Sequence, residues 1–243
     1  MVYLCRQNSK MKFKRILLKL SGESLMGADH YGIDYTAVYH YASEIKSAVQ
    51  LGVQVGVVIG GGNIFRGIKG SHIGFDRRQG DHMGMLATMI NSMALQSVLE
   101  EVGIDAKILS ALAIDGMCEK IYFKTAEKYL QNQVVIFAAG TGNPFFTTDS
   151  AAALRAVEIK ADLLIKGTRV NGVYTADPEK DKTATKYSEI TYDEAYRKNL
   201  NILDLTAFTL CKENRMPIYV YDANQSGNLV KVLSGEHIGT IIK

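Results

Sequence analysis

Arg15-Ile-Leu-Leu-Lys-Leu20, closed by Ser21-Gly22, and Val53-Gln-Val-Gly-Val-Val-Ile59, closed by Gly60-Gly61-Gly62, decide the reading of the fold. Each is a short apolar run, the second rich in β-branched residues, and each enters a glycine turn, so both read as buried strands. Between them, residues 35–51 place Val38, Tyr41, Ala42, Ile45 and Val49 at helical spacing, with Gly52 as the stop. Strand, loop, helix, strand and glycine-rich loop make a βαβ unit.

The alternation continues outward. A helix is expected over 83–102, ended by Gly103. Strands are expected over 106–109 and 134–138, then a helix over 148–159 with Asp149 in its first turn. A strand over 163–166, a helix over 207–213, a strand over 218–221 and a helix over 229–233 complete the pattern. Strands that alternate with helices imply an α/β fold, a three-layer sandwich around a mostly parallel central sheet. Residues 1–10 are expected to form a flexible tail, with Met11 as an alternative start. Residues 11–243 are expected to form a single domain with two lobes.

Composition narrows the class. Of 243 residues, 47% are apolar and 22% charged, as in a globular protein with a full core. The net charge of +3 gives no argument for a membrane surface or for direct nucleic-acid binding. Cys5, Cys118 and Cys211 are scattered and unpaired in sequence, which disfavours a disulfide framework or zinc site and fits the cytoplasm. No apolar run approaches the roughly 20 residues that span a bilayer, and the first ten residues lack the apolar stretch of a secretion signal.

Five segments carry candidate chemistry. Lys19-Leu20-Ser21-Gly22 and Gly60-Gly61-Gly62-Asn63, with Arg66 beyond, end two predicted strands, where open parallel sheets bind ligands. Glycines there admit phosphate to the backbone, and Lys19 and Arg66 supply positive charge. By itself the first segment reads as a tight turn; three successive glycines argue for close approach by something. No GxxxxGK[ST] occurs, which excludes a Walker-type kinase, and Phe65 stands at the third glycine position of a dinucleotide fingerprint, which argues against a hydride-transfer enzyme. Asp81, before the expected helix, is suited either to cap it or to bond a sugar. His82 has no accompanying nucleophile and reads as structural. Thr141-Gly142-Asn143-Pro144-Phe145-Phe146-Thr147-Thr148-Asp149 gathers hydroxyls, an amide and two aromatics at a helix start suited to an anion; the phenylalanines face a base or fill the core. The segment 166–178 places Tyr174 for an adenine ring and Asp177 for a ribose or ring amine, although alone it reads as a Gly/Asp-Pro hairpin.

Taken in order, KLSGE, VIGGGNIFRG, GDHMGMLATMIN, AAGTGNPFFTTDSAA, VNGVYTADP and LDLTAFTLC resemble the bacterial UMP kinase branch of the amino-acid-kinase family over nearly the whole chain from about Lys14. The resemblance implies the amino-acid-kinase fold over residues 11–243 with acceptor-binding and ATP-binding lobes, ATP-dependent phosphorylation of UMP in pyrimidine synthesis, magnesium with ATP but no direct protein metal ligand, and a homohexamer. It places Lys19, Leu20, Ser21, Gly22, Gly62 and Arg66 along the ATP phosphates, and Thr168, Tyr174 and Asp177 on the adenosine part. Gly61, Asp81 and Thr141 to Thr148 fall on UMP. Asp149 and Asp204 resemble the acids that organise the phosphate region, so that Lys19, Arg66, Asp149 and Asp204 form the catalytic set. Lys166 is a second cation candidate or an anchor for its loop. Asn171 departs from a more usual aspartate. Gly27, Ala28, Asp29, His30, Tyr31 and Gly32 match a loop linked to a GTP effector. Gln96, Glu100 and Gln133 replace basic residues there and only Lys107 is kept. UTP inhibition is therefore expected rather than GTP activation. The alternatives are a kinase of the same fold acting on a carboxylate or carbamate, and a non-catalytic nucleotide sensor.

Overall fold

The computed structural model describes residues 12–65, 74–178 and 180–243. The expected tail, Met11 and Arg66 lie outside them. Among the described residues, strands β1 (Arg15–Leu20), β2 (Gln54–Ile59), β3 (Ala106–Ser110), β4 (Glu119–Lys120), β5 (Val134–Ala138), β6 (Leu163–Thr168), β7 (Glu189–Ile190), β8 (Ile218–Asp222) and β9 (Thr240–Ile242) form one sheet, in the order β4-β3-β5-β2-β1-β6-β8-β9-β7. Neighbours are parallel except β8 and β9.

The strands in the middle are apolar on both faces because helices cover both. Ile16, Leu18 and Leu20 of β1 join Val55, Val57 and Ile59 of β2 on one face, under α1 (Tyr35–Gln50), α2 (Arg77–Glu101) and α7 (Asn228–Leu233). Leu17, Val58 and Leu164 point the other way, under α3 (Phe123–Tyr129), α4 (Thr148–Glu158), α5 (Tyr192–Arg197) and α6 (Leu205–Glu213). Ala152, Ala153 and Ala156 keep α4 close to the sheet. Period-2 alternation therefore assigns Lys19 to the α4 face.

Several boundaries differ from expectation. Helix α2 starts at Arg77, because Asp76 caps it through the N–H groups of Arg78 (3.1 Å) and Gln79 (3.4 Å). Its polar first turns hide it from an apolar-period reading, and Asp81 is thus inside the helix rather than its cap. The two-residue strands β4 and β7 and the short helices α3 and α5 are too brief for periodicity to reveal.

The ends of β1 and β2 interlock. Gly60 N–H donates to the Leu20 carbonyl at 3.1 Å. A Cβ on Gly22 would lie 2.3 Å from the Gly60 oxygen, so the two glycine turns need each other's missing side chains. Buried Asn91 of α2 donates to the Gly60 carbonyl (2.7 Å) and to Asn63 Oδ1 (2.7 Å), and Asn63 returns a bond at 3.0 Å. The remaining Asn63 proton goes to the Gly32 carbonyl at 2.7 Å. Asn91→Leu strips partners from several buried groups, each worth about 1–3 kcal/mol when unsatisfied. It is expected to lower the unfolding free energy by about 2–4 kcal/mol; an unchanged urea midpoint would show the amide pair to be dispensable.

Candidate functional site

Parallel register sets Lys19 of β1 directly beside Lys166 of β6. Two neighbouring ammonium groups repel unless an anion lies between them, and Asp149, in the first turn of α4, supplies it. Its carboxylate is 2.6 Å from Lys19 Nζ and 2.8 Å from Lys166 Nζ. Burial pushes the Asp149 carboxyl up, but the two ammonium groups outweigh burial and hold it below the usual range. Burial lowers Lys166; Asp149 partly offsets this and Lys19 adds to it, leaving the ammonium below its ordinary value. Lys166 also donates to the Ile202 carbonyl at 2.7 Å, so it anchors a loop as well as carrying charge.

The start of α4 is knotted to α6. Thr147 is the N-cap of α4, accepting from the N–H groups of Asp149 (3.0 Å) and Ser150 (3.3 Å), and its hydroxyl donates to Asp204. Asp204 in turn caps α6 through Ala207 N–H at 3.0 Å.

On one side of this cluster opens a cavity of about 490 Å³, whose lining includes Gly61, Gly62, Asp81, Thr141, Asn143, Phe146, Thr147 and Thr148. It gathers most of the expected acceptor residues. Asp81 is held by Arg77 Nε, 2.9 Å from each oxygen, and accepts the Phe145 N–H at 2.7 Å. Phe145 and Phe146 are 64% and 48% exposed, which overturns the core-filling alternative for them. The loop bends through left-handed Ala139, Gly140, Gly142 and Phe145. Buried Thr88 fixes its start by accepting the Ala139 N–H at 2.8 Å. Thr141 and Asn143 close a local turn at 3.1 and 3.2 Å, with Pro144 following. Gly61 is required by packing: a Cβ there would lie 2.8 Å from both Ala87 Cβ and the Gly84 oxygen of α2. Part of the glycine signal thus reports helix packing rather than ligand.

On the other side lies a cavity of about 480 Å³ whose walls include Lys166, Thr168, Tyr174, Asp177, Asn199 and Ile202. The Tyr174 hydroxyl donates to Asn171. The hairpin carrying them is pinned by Val173 N–H to Thr240 Oγ1 at 2.9 Å. Leu20 has its side chain in the core, so only its backbone reaches this end of the sheet. Ser21 accepts from Glu23 N–H at 3.3 Å, and Gly22 lies against Gly60.

Gly27, Ala28 and Asp29 form a short 3-10 turn, followed by left-handed His30 and Gly32 and exposed Tyr31. Gly32 N–H donates to the Asn63 carbonyl at 3.0 Å, so this loop is fastened to the glycine turn. Lys107 is 2.7 Å from Glu119, and Gln96 donates to the Ala106 carbonyl at 2.9 Å. Sequence reasoning missed Arg77, Thr88, Ser150 and the segment 198–202, whose roles come from long-range contacts without a local motif.

The amino acid kinase family model matches residues 14–222. The uridylate kinase of Parabacteroides distasonis is 57% identical over 232 residues, 95% of this chain and 98% of the relative. That of Porphyromonas gingivalis is 58% identical over 95% of this chain and 97% of its own length. The crystal structure of UMP kinase from Bacillus anthracis superposes with a TM-score of 0.92 at 35% identity, covering 95% of this chain and 96% of that one. UMP kinase from Ureaplasma parvum gives 0.90 at 36%, covering 96% and 100%.

The lowered Asp149 carboxyl has a signature in pH. Its contribution to stability is complete above the ordinary aspartate range near pH 4 and is lost as pH falls through the lower native value. Asp149→Asn is expected to flatten the acid-side decline of unfolding free energy, followed by urea titration below about pH 5; equal slopes in both proteins would contradict the pairing.

Proposed function

Because the chain belongs to the amino acid kinase family, in its uridylate kinase branch, we propose that it transfers the γ-phosphoryl group of ATP to UMP, giving ADP and UDP for pyrimidine nucleotide synthesis in the cytoplasm. The observation that carries the reading is the Lys19–Asp149–Lys166 cluster, with Lys166 in the wall of one cavity of nucleotide scale and Thr148, next to Asp149 in sequence, in the wall of another.

Phosphoryl transfer needs positioning and charge neutralisation more than covalent chemistry. The UMP phosphate is already largely ionised near neutral pH, so it attacks the γ-phosphorus in line without a general base or covalent enzyme intermediate. Lys19 and Lys166 neutralise charge that develops on the transferring group, and Asp149 holds both in place. Asp81 offers its remaining lone pairs to the UMP ribose, and Thr148 and the turn at Thr141–Asn143 face the rest of the acceptor. Thr168, Tyr174 and Asp177 hold the adenosine part of ATP. Arg66 is assigned beside the phosphates on its sequence position. Among the described residues, no cluster of three or more His, Cys, Asp or Glu could hold a metal. Magnesium would be carried in on ATP, with Asp149 and Asp204 placed to support it. When bound, it neutralises phosphate oxygens.

A homohexamer is part of this reading. Met83, Leu86, Ile90 and Met93 form an exposed apolar stripe along α2, suited to cover by a second copy. UTP is the proposed inhibitor. Lys107 is already neutralised by Glu119, which weakens any GTP site.

ADP release measured with UMP, CMP, dCMP, aspartate and carbamate tests the assignment: UMP is expected to give the highest kcat/KM. Turnover of carbamate or aspartate alone would favour a small-acceptor kinase, and no turnover a nucleotide sensor. Lys19→Ala is expected to lower kcat by at least about 100-fold while circular dichroism shows the fold retained; a loss under about threefold, less than 1 kcal/mol of barrier, contradicts its role. Asp81→Ala is expected to raise the KM for UMP about tenfold, the cost of one hydrogen bond to a charged group, and an effect confined to ATP would reassign it.

A further inference from the structure

We infer that Ser150 is a positioning residue for phosphoryl transfer: its hydroxyl, with that of Thr147, ties Asp204 to the first turn of α4 and so fixes Asp149 between Lys19 and Lys166. The inference rests on the proposed kinase reading and goes beyond it, because it gives Asp204 a different task from contact with phosphate or metal.

The hydrogen bonds around Asp204 define that task. A carboxylate offers about four acceptor sites. Oδ1 accepts from Ala207 N–H at 3.0 Å and from Ser150 Oγ at 3.0 Å. Oδ2 accepts from Ser150 Oγ at 3.0 Å and from the Thr147 hydroxyl. The side chain is thus engaged from both flanks by protein donors. Thr147 is equally committed, since its oxygen accepts two backbone N–H groups while its proton goes to Asp204. Ser150 is 4% exposed and reaches both oxygens with one hydroxyl.

This knot joins the two halves of the site. Thr147 belongs to the wall of the acceptor cavity. Asp204 ends the segment whose residues 198–202 wall the donor cavity and whose Ile202 carbonyl holds Lys166. Asp149 lies between Thr147 and Ser150 in sequence, so its carboxylate is aimed by the same turn that the knot immobilises. Errors of about 1 Å in such placement cost on the order of a hundredfold in rate, whereas Ser150 is in the lining of neither cavity.

Steady-state kinetics of the full chain test this through a double-mutant cycle. With wild-type activity on UMP established first, Ser150→Ala is expected to lower kcat about tenfold while both KM values stay within about twofold. In an Asp204→Ala background, removal of the Ser150 hydroxyl is expected to change kcat by less than about twofold. Thermal unfolding of each variant confirms that it is folded; should the alanine variant fail to fold, Ser150→Cys, which keeps the volume and weakens the donor, replaces it. A kcat within twofold of wild type, a loss expressed only in KM, or the same loss with and without Asp204 would each overturn the inference. Absence of turnover by the wild-type chain with UMP would overturn the kinase reading instead.

Discussion

Two lysines on adjacent parallel strands share one aspartate, and the arrangement of the molecule around the C-terminal edge of its sheet follows from that. Lys19 and Lys166 are brought side by side by strand register. Like charges at that spacing, largely removed from water, are tolerable only with an anion between them. Asp149 must therefore stand at the C-terminal edge of the sheet, which fixes where α4 begins. Once α4 begins there, the loop before it lines the cavity that also holds Asp81, and its cap Thr147 faces Asp204.

Charge and packing cooperate at this edge. The helix N-terminus adds positive potential to the two ammonium groups, and the interlocked glycine turns keep bulky side chains away from the same region. The amide pair of Asn63 and Asn91 fastens those turns to α2 from the opposite face of the sheet. Asp81 and Thr88 on α2 then hold the far and near ends of the loop after β5. One helix, α2, reaches backbone atoms of both loops, through Asn91 to the Gly60 carbonyl and through Asp81 and Thr88 to the N–H groups of Phe145 and Ala139.

Legibility in the sequence varied with the range of the interaction. The central strands were visible because burial on both faces leaves an unbroken apolar run, as in Val134–Ala138. The start of α2 was not, because Arg77, Arg78, Gln79 and Asp81 give no apolar period and the capping acid is Asp76. The phenylalanines at 145 and 146 were ambiguous from sequence, and only a loop held open by left-handed residues put them on the surface. Ser150 looked like one more small residue in an alanine-rich helix; Asp204, 54 positions away, gives it a partner.

By itself the sequence determined the alternation of strands and helices, the glycine turns at strand ends and the chemical types gathered after β5. These are local properties, set by side-chain period, backbone freedom and capping within a few residues. The tertiary structure alone decided that Lys19 faces Lys166, that Asp149 bridges them, and that Thr147 and Ser150 converge on Asp204. Those pairings depend on strand register and helix placement across the whole chain, where the gain comes from burying and pairing charges that no local pattern reveals.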